Sequence, residues 1–293
     1  MNATKKLDPF ISIPLNESQL KSELLSPAGP LKKLKVLEEV GSTNDLLRQE
    51  LTTTPLFPQA ITADHQVLGR GRIGRTWKDV AGQGIAISIA LDFDSTKLVA
   101  TIIPLLTGLA VQRTIAAQLG VPAALKWPND IVVLAGDSEP EIEKWGAQRK
   151  LGGVLCETVS DGAVIVGIGL NVHQNTAGLP VQWATSLALQ APEAHWEKVD
   201  RNSIIVGIVK EVMELVDLAQ NNPETLQEGG VLQEELTAKT VTIGKSISVE
   251  SVSGQIEYVQ ALGIKENGAL QVSSGQGRIA EIHSGDVYHV RGH

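Results

Sequence analysis

Residues Gly69 to Trp77, GRGRIGRTW, carry the reading on which the fold depends. Read literally, Gly69, Gly71 and Gly74 match G-x-G-x-x-G, and Asp92 follows about 20 residues later, the spacing of a dinucleotide-binding βαβ unit. That unit needs a crossover helix directly after the loop. The segment that follows, TWKDVAGQG, is too short for one and is broken by Gly82 and Gly84. The loop instead joins two runs, QAITADHQ (59–66) and GQGIAISIALDF (82–93), which are rich in Ile and Ala and read as strands. No dinucleotide fold is built here, and the expected class is α+β, a mixed or antiparallel sheet with helices.

Working outward, LKVLEEV (Leu34 to Val40) reads as a strand, and GSTNDLLRQEL as a short helix with Ser42 as N-cap and Asp45 at N3. IIPLLTGLAVQRTIAAQLG predicts a buried helix, with Pro104 near its start and Gly120 just past its end. AALKW, DIVVLAG, LGGVLCETV and AVIVGIGLNV are short β-like runs. RNSIIVGIVKEVMELVDLAQ is helical, with Ile205, Ile208, Val209, Val212 and Val216 three and four apart. After a polar stretch with Gly229 and Gly230, the chain from about Thr240 to Arg291 is all short strands and turns, which predicts a small β-barrel of roughly 50 residues. The expected domains are an extension over 1–32 lying against the main domain, a large domain over 33–238 and the barrel over 239–293.

The loop's chemistry follows from its composition. Arg70, Arg72 and Arg75 alternate with glycines that let backbone amides approach a ligand, and each guanidinium presents a planar fork suited to phosphate or carboxylate. Trp77 adds a face on which a purine can stack. An exposed basic turn is the plainer reading, and it leaves the regular glycines and the tryptophan unexplained. There is no G-x-x-x-x-G-K-[ST] phosphate loop in the chain. In LKWPNDIVV, Asn129 and Asp130 fit either a turn or Mg²⁺ held with nucleotide phosphates. Lys150, before Gly152 and Gly153, is either a solvated charge or a cation facing an acyl-phosphate. In VIVGIGLNV, Gly167 and Gly169 break a buried strand and end at Asn171, a pattern of close backbone or ligand approach.

Composition limits the partners. A net charge of −8 over 293 residues argues against broad electrostatic binding to DNA or anionic lipid. No stretch approaches the roughly 18 consecutive apolar residues of a membrane span, and the amino-terminus lacks a secretory core. A single cysteine forms no internal disulfide and fits a reducing cytoplasm.

Taken in order, STN at Ser42 to Asn44, Gln66 with GRGRIGRTW, KWPND, KLGGVLCE, GIGLNV and ATSL at Ala184 to Leu187 resemble the biotin protein ligase family. The resemblance runs from about Leu34 to Arg291. It implies a class II synthetase-like catalytic domain with a small SH3-like barrel, and an enzyme that joins biotin to ATP as biotinyl-5'-AMP. The biotinyl group then passes to a lysine of a biotin carboxyl carrier domain. By the same match Ser42, Thr43, Asn44 and Gln66 line the biotin pocket, with Gly69 and Gly71 in the loop that closes over the ligand. Arg70 and Arg72 hold the carboxylate and α-phosphate, Trp77 stacks on adenine, and Lys150 contacts both reacting groups. Gly153 and Gly169 lie beside the ligand and Asn171 lies at its nucleotide end; the Mg²⁺ expectation at Asn129 and Asp130 rests on their own chemistry and not on the match. Lys150 and Arg72 are the expected catalytic residues.

Two departures stand out. Residues 1–32 are too few for the winged helix of the family's DNA-binding members, so a ligase without repressor function is expected. The acidic connection Ala135 to Arg149 is longer than a tight hairpin needs, and its role is open. A lipoate ligase, a non-catalytic ligand-sensing regulator and an interaction module are the competing readings, and the sequence leaves the oligomeric state open.

Overall fold

The computed structural model describes residues 8–289 apart from 12, 79, 97, 137, 138, 161, 251–255, 276 and 284. Residues 1–7 of the expected extension, and 251–255 and 290–293 of the carboxy-terminal run, therefore lie outside the described residues. The elements follow in the order α1 (Glu17–Leu24), β1 (Lys33–Val40), α2 (Thr43–Thr53), β2 (Gln59–Gln66), β3 (Gly84–Asp92) and α3 (Ile103–Leu119). Then come β4 (Ala124–Lys126), β5 (Asp130–Leu134), β6 (Gln148–Ser160), β7 (Ala163–Asn171), α4 (Leu187–Gln190), α5 (Arg201–Asn221) and α6 (Val231–Lys239). The chain ends with β8 (Ser246–Glu250), β9 (Ile256–Ile264), β10 (Leu270–Ser273), β11 (Ile279–Ile282) and β12 (Asp286–His289).

A seven-stranded sheet runs β1-β2-β3-β7-β6-β5-β4. Only β1 and β2 are parallel; every other neighbouring pair is antiparallel, so the sheet is mixed as the sequence predicts. Strand alternation divides its two faces. Ile85, Ile87, Ile89 and Leu91 of β3, with Val164, Val166, Ile168 and Leu170 of β7, join the large core against α3 and α5. On the opposite face Ala90 and Ile165 pack with Leu47 and Leu51 of α2. Gly167 and Gly169 fall on that second face, where α2 leaves an opening.

Local signals explain the helix ends. Ser42 Oγ accepts a hydrogen bond from Asp45 N to start α2, and Gly120 closes α3 in the left-handed region (φ 66). Asp200 caps α5 by accepting from Asn202 N and Ser203 N. The stretch Ala100–Leu119 passes a length-and-hydropathy test for crossing a membrane, but Gln112, Arg113 and Gln118 interrupt it and 67% of its apolar window is buried in the core. Three helices escaped the sequence reading, among them the one-turn α4. α1 lies in the extension and shows the core only Leu20 and Leu24, and α6 lies in the polar stretch and buries only Leu232 and Leu236. Two buried leucines per helix leave too faint a 3.6-residue pattern.

The second sheet, β11-β10-β9-β8-β12, is antiparallel throughout. It is fastened to the first near β4. Trp127 Nε1 donates to Gly268 O (3.0 Å), Trp127 N to Thr242 Oγ1 (3.2 Å) and Thr101 Oγ1 to Asn267 O (2.6 Å).

Candidate active site

Strand register lays one row of residues across the sheet. Gly169 of β7 pairs with Gly153 of β6, Gly153 with Asp130 of β5, and Asp130 with Lys126 of β4. The row begins on two residues without side chains and ends on a carboxylate and an ammonium. A cleft opens over it. The glycines are required by contact: a Cβ on Gly169 would come within 2.6 Å of the Trp77 ring, and one on Gly167 within 2.3 Å of Asn44 Oδ1.

The 69–77 loop is a small hairpin. Trp77 N donates to Gly69 O (2.9 Å), Gly71 N to Arg75 O (2.7 Å), and Arg70 bridges Thr76. Gly69 forms the neck, where a Cβ would meet Trp77 O at 2.5 Å, so its place in the chain is explained without its touching the cleft. At the tip, Ile73 adopts φ 53, an uncommon conformation for a β-branched residue, and Gly74 follows at φ 69. The hairpin lays the Trp77 indole on Gly169.

At one end of the cleft, the start of α2 is tied to β2 and β3. Thr43 N and Oγ1 both donate to Gln66 Oε1 (2.8 and 2.9 Å), and the Ser88 hydroxyl lies 2.7 Å from Thr43 Oγ1 and 2.5 Å from Asn44 Oδ1. Asn44 Nδ2 donates to Glu157 Oε2 (2.7 Å), which also pairs with Arg70 (2.7 Å), while Arg48 takes Oε1 (2.8 Å). Arg70 reaches Asp45 as well, at 2.7 Å. Burial pushes the Glu157 carboxyl up, but the hydrogen bonds from Asn44, Arg48 and Arg70 outweigh it and hold its pKa below the ordinary value.

In the centre, Arg72 Nη1 donates to Asn129 Oδ1 (3.1 Å), and Asn129 Nδ2 donates to Val154 O (2.8 Å). Lys150 Nζ pairs with Asp130 Oδ1 (2.6 Å) and stands 5.9 Å from the centre of the Trp77 ring. At the far end Lys126, Trp145 and Tyr288 complete the wall.

Of the residues singled out from sequence, Ser42, Thr43, Asn44, Gln66, Arg70, Gly71, Arg72, Trp77, Asn129, Asp130, Lys150, Gly153 and Gly169 line this cleft. Gly69 and Asn171 do not: Asn171 is buried, its Nδ2 donating to Thr185 O (2.9 Å), so it fastens the 183–185 segment instead of facing the opening. Arg75, read only as one of the loop's three anion-binding arginines, lines the cleft too, and sequence reasoning missed Lys126, Trp145 and Tyr288 as cleft residues. Lys126 stands in the KWPND motif and was within reach; Trp145 and Tyr288 enter by tertiary packing alone.

Residues 36–175 match the model of the biotin/lipoate A/B protein ligase family. The biotin–[acetyl-CoA-carboxylase] ligase of Mycobacterium tuberculosis is 32% identical over 287 residues, covering 95% of this chain and 97% of that protein. The chain belongs to the biotin/lipoate A/B protein ligase family. Its fold superposes on the biotin protein ligase of Aquifex aeolicus, solved in complex with biotin and ATP, with a TM-score of 0.67 and 26% identity over 89% of this chain and all 100% of that one. The bifunctional ligase/repressor BirA of Bacillus spizizenii is 29% identical over 78% of this family member, which spans 65% of BirA's own length.

Proposed function

We infer that this chain is a biotin protein ligase. It joins biotin to ATP as biotinyl-5'-AMP, releasing pyrophosphate, and transfers the biotinyl group to a lysine of a biotin carboxyl carrier domain. The supporting observation is the cleft itself: five cations, Arg70, Arg72, Arg75, Lys126 and Lys150, gather around a glycine floor covered by Trp77. A carboxylate and a triphosphate repel each other, so joining them needs fixed positive charge where charge builds in the transition state. No side-chain nucleophile is needed, because the biotin carboxylate is itself the nucleophile.

Biotin lies at the Thr43–Asn44–Gln66 end, where the amide and hydroxyl groups are already oriented. Its carboxylate then faces Gly169 and Gly153, between Arg72 and Lys150, which stabilise the pentacoordinate phosphorus as catalytic residues. Trp77 receives the adenine. In the second step the acceptor amine attacks the mixed anhydride and AMP leaves; the hairpin excludes water that would otherwise hydrolyse the adenylate. Mg²⁺ commonly joins one or two carboxylates to substrate phosphates, and Asp130 provides one carboxylate beside this site. Among the described residues no group of three or more acidic, His or Cys side chains could hold a metal alone. Asp130 therefore fits a cation brought with ATP, which would neutralise phosphate charge, while the Asn129 oxygen is already turned to Arg72.

The same reading takes residues 33–238 as the catalytic domain. The carboxy-terminal sheet is a small barrel, supported by β12 returning to β8 at the head of the β8–β11 meander. It places the enzyme in a reducing cytoplasm, with a carboxylase carrier protein as partner and no nucleic acid. The direct test incubates the chain with a biotin carboxyl carrier domain, ATP and Mg²⁺, supplying biotin or lipoate, and weighs the carrier by mass spectrometry. Biotin addition at one lysine is expected; lipoate addition in its place would assign the chain to the lipoate branch of the family.

A further inference from the structure

Glu157, the last residue of KLGGVLCE, stands outside the cleft lining, yet three side chains converge on its carboxylate. Its Oε2 takes Asn44 Nδ2 and Arg70 Nη2, both at 2.7 Å, and its Oε1 takes Arg48 Nη2 at 2.8 Å. Asp45 meets Arg48 at 3.2 Å and Arg70 at 2.7 Å, so Arg48, Asp45, Arg70 and Glu157 form a closed ring of alternating charge. The ring joins α2, the hairpin and β6. A carboxylate flanked by two guanidinium groups only accepts hydrogen bonds, so the end of Asn44 that faces it must be the NH2. The Asn44 oxygen is thereby turned to the buried Ser88 hydroxyl (2.5 Å), over Gly167, where a Cβ would come within 2.3 Å of it.

We propose that Glu157 is a positioning residue that sets the Asn44 amide and the Arg70 end of the hairpin from one carboxylate, so that the acid-binding end and its cover are placed together. This rests on the reading of the chain as a biotin ligase. The cyclic urea of biotin presents N–H donors and a carbonyl acceptor in a fixed order. An amide held in one sense is prepared for such a head group, whereas one free to turn over must be ordered at the moment of binding. Glu157 imposes the sense, because a reversed Asn44 would set its oxygen against the carboxylate. The same Glu157 oxygen holds Arg70, whose other partner, Asp45, follows Asn44 directly in α2. A shift of the carboxylate therefore moves a cleft wall and the hairpin at once.

The test measures biotin affinity by calorimetry and the rate at which biotinyl-AMP leaves the enzyme. In Glu157→Gln biotin should bind on the order of tenfold more weakly, and the adenylate should leave faster by a similar factor, because donors then face an NH2. The deciding readout is a double-mutant cycle on the adenylate's departure. With Glu157 present, Asn44→Ala and Arg70→Ala together should fall short of the product of their separate effects by about fivefold. In a Glu157→Gln background the two effects should simply multiply. If Glu157→Gln does not fold, Arg48→Met, which removes one of the carboxylate's three donors, carries the test with a smaller loss of biotin affinity and a weaker coupling. A lowered melting temperature with biotin affinity unchanged, Asn44→Ala and Arg70→Ala effects that multiply with Glu157 present, or a coupling that survives Glu157→Gln would each overturn the proposal. A wild-type enzyme that makes no biotinyl-AMP would instead sink the functional reading.

Discussion

The two ends of the cleft set their cations against different groups. At the α2 end Arg70 is gripped by Asp45 and Glu157, and in the centre Lys150 is paired with Asp130. At the β4 end Lys126 rests on the neutral face of Trp145. A cation paired with a carboxylate must exchange that partner for the ligand, so its contribution is the difference between two ion pairs. The Arg70 pairs tie the hairpin to α2 and β6, and the Lys126–Trp145 contact ties β4 to the 142–146 turn.

The comparison breaks most visibly in the centre. Lys150→Ala or Arg72→Ala should cut adenylate formation by at least ~100-fold, the scale of a lost transition-state charge contact. Single-turnover quenched-flow measurement of biotinyl-AMP checks this, and near-normal rates in either variant would remove these residues from the chemistry. Trp77→Ala should weaken ATP by about tenfold and leave biotin affinity intact, the scale of one lost stacking contact; calorimetry with each ligand separates the two. Gly169→Ala should imitate it, because the added Cβ would fall 2.6 Å from the indole and lift Trp77 from its seat.

The smallest expected effect lies outside the cleft, where the amino-terminal strap is fastened. His173 is buried and its Nδ1 meets Pro9 O at 2.6 Å, while Arg201 grips Asp64 and Ile13 O. Burial pushes the His173 pKa down, against the raising effect of the Pro9 hydrogen bond, so the folded state favours the neutral imidazole. The unfolded chain takes up a proton near pH 6.5 before the folded chain does, so stability is level above that pH and falls as pH drops below it. Thermal melting from pH 7.5 to 5.5 should show that decline, and His173→Gln should flatten it.

How much of this was legible in the sequence follows locality. Ser42 capping α2, Gly120 closing α3 and the GRGRIGRTW loop between two strands are set by residues within a few positions of one another, and they were read; that the loop folds into a hairpin was not. The alternation that turns Gly167 and Gly169 to the cleft face is likewise a property of one strand. Trp145 and Tyr288 could not be read, because their place depends on a turn and a second sheet docking beside β4. Asn171 ends a strand whose glycines face the cleft, and its own side-chain amide turns to Thr185 O, which one strand's alternation does not reveal. α1 and α6 were missed because each sends only two leucines inward.

The central claim, that this cleft joins biotin to ATP, is tested most directly by exchange of labelled pyrophosphate into ATP. The account predicts exchange that requires biotin, is absent with lipoate and collapses in Lys150→Ala. Exchange that proceeds without biotin, or with lipoate in its place, would contradict it.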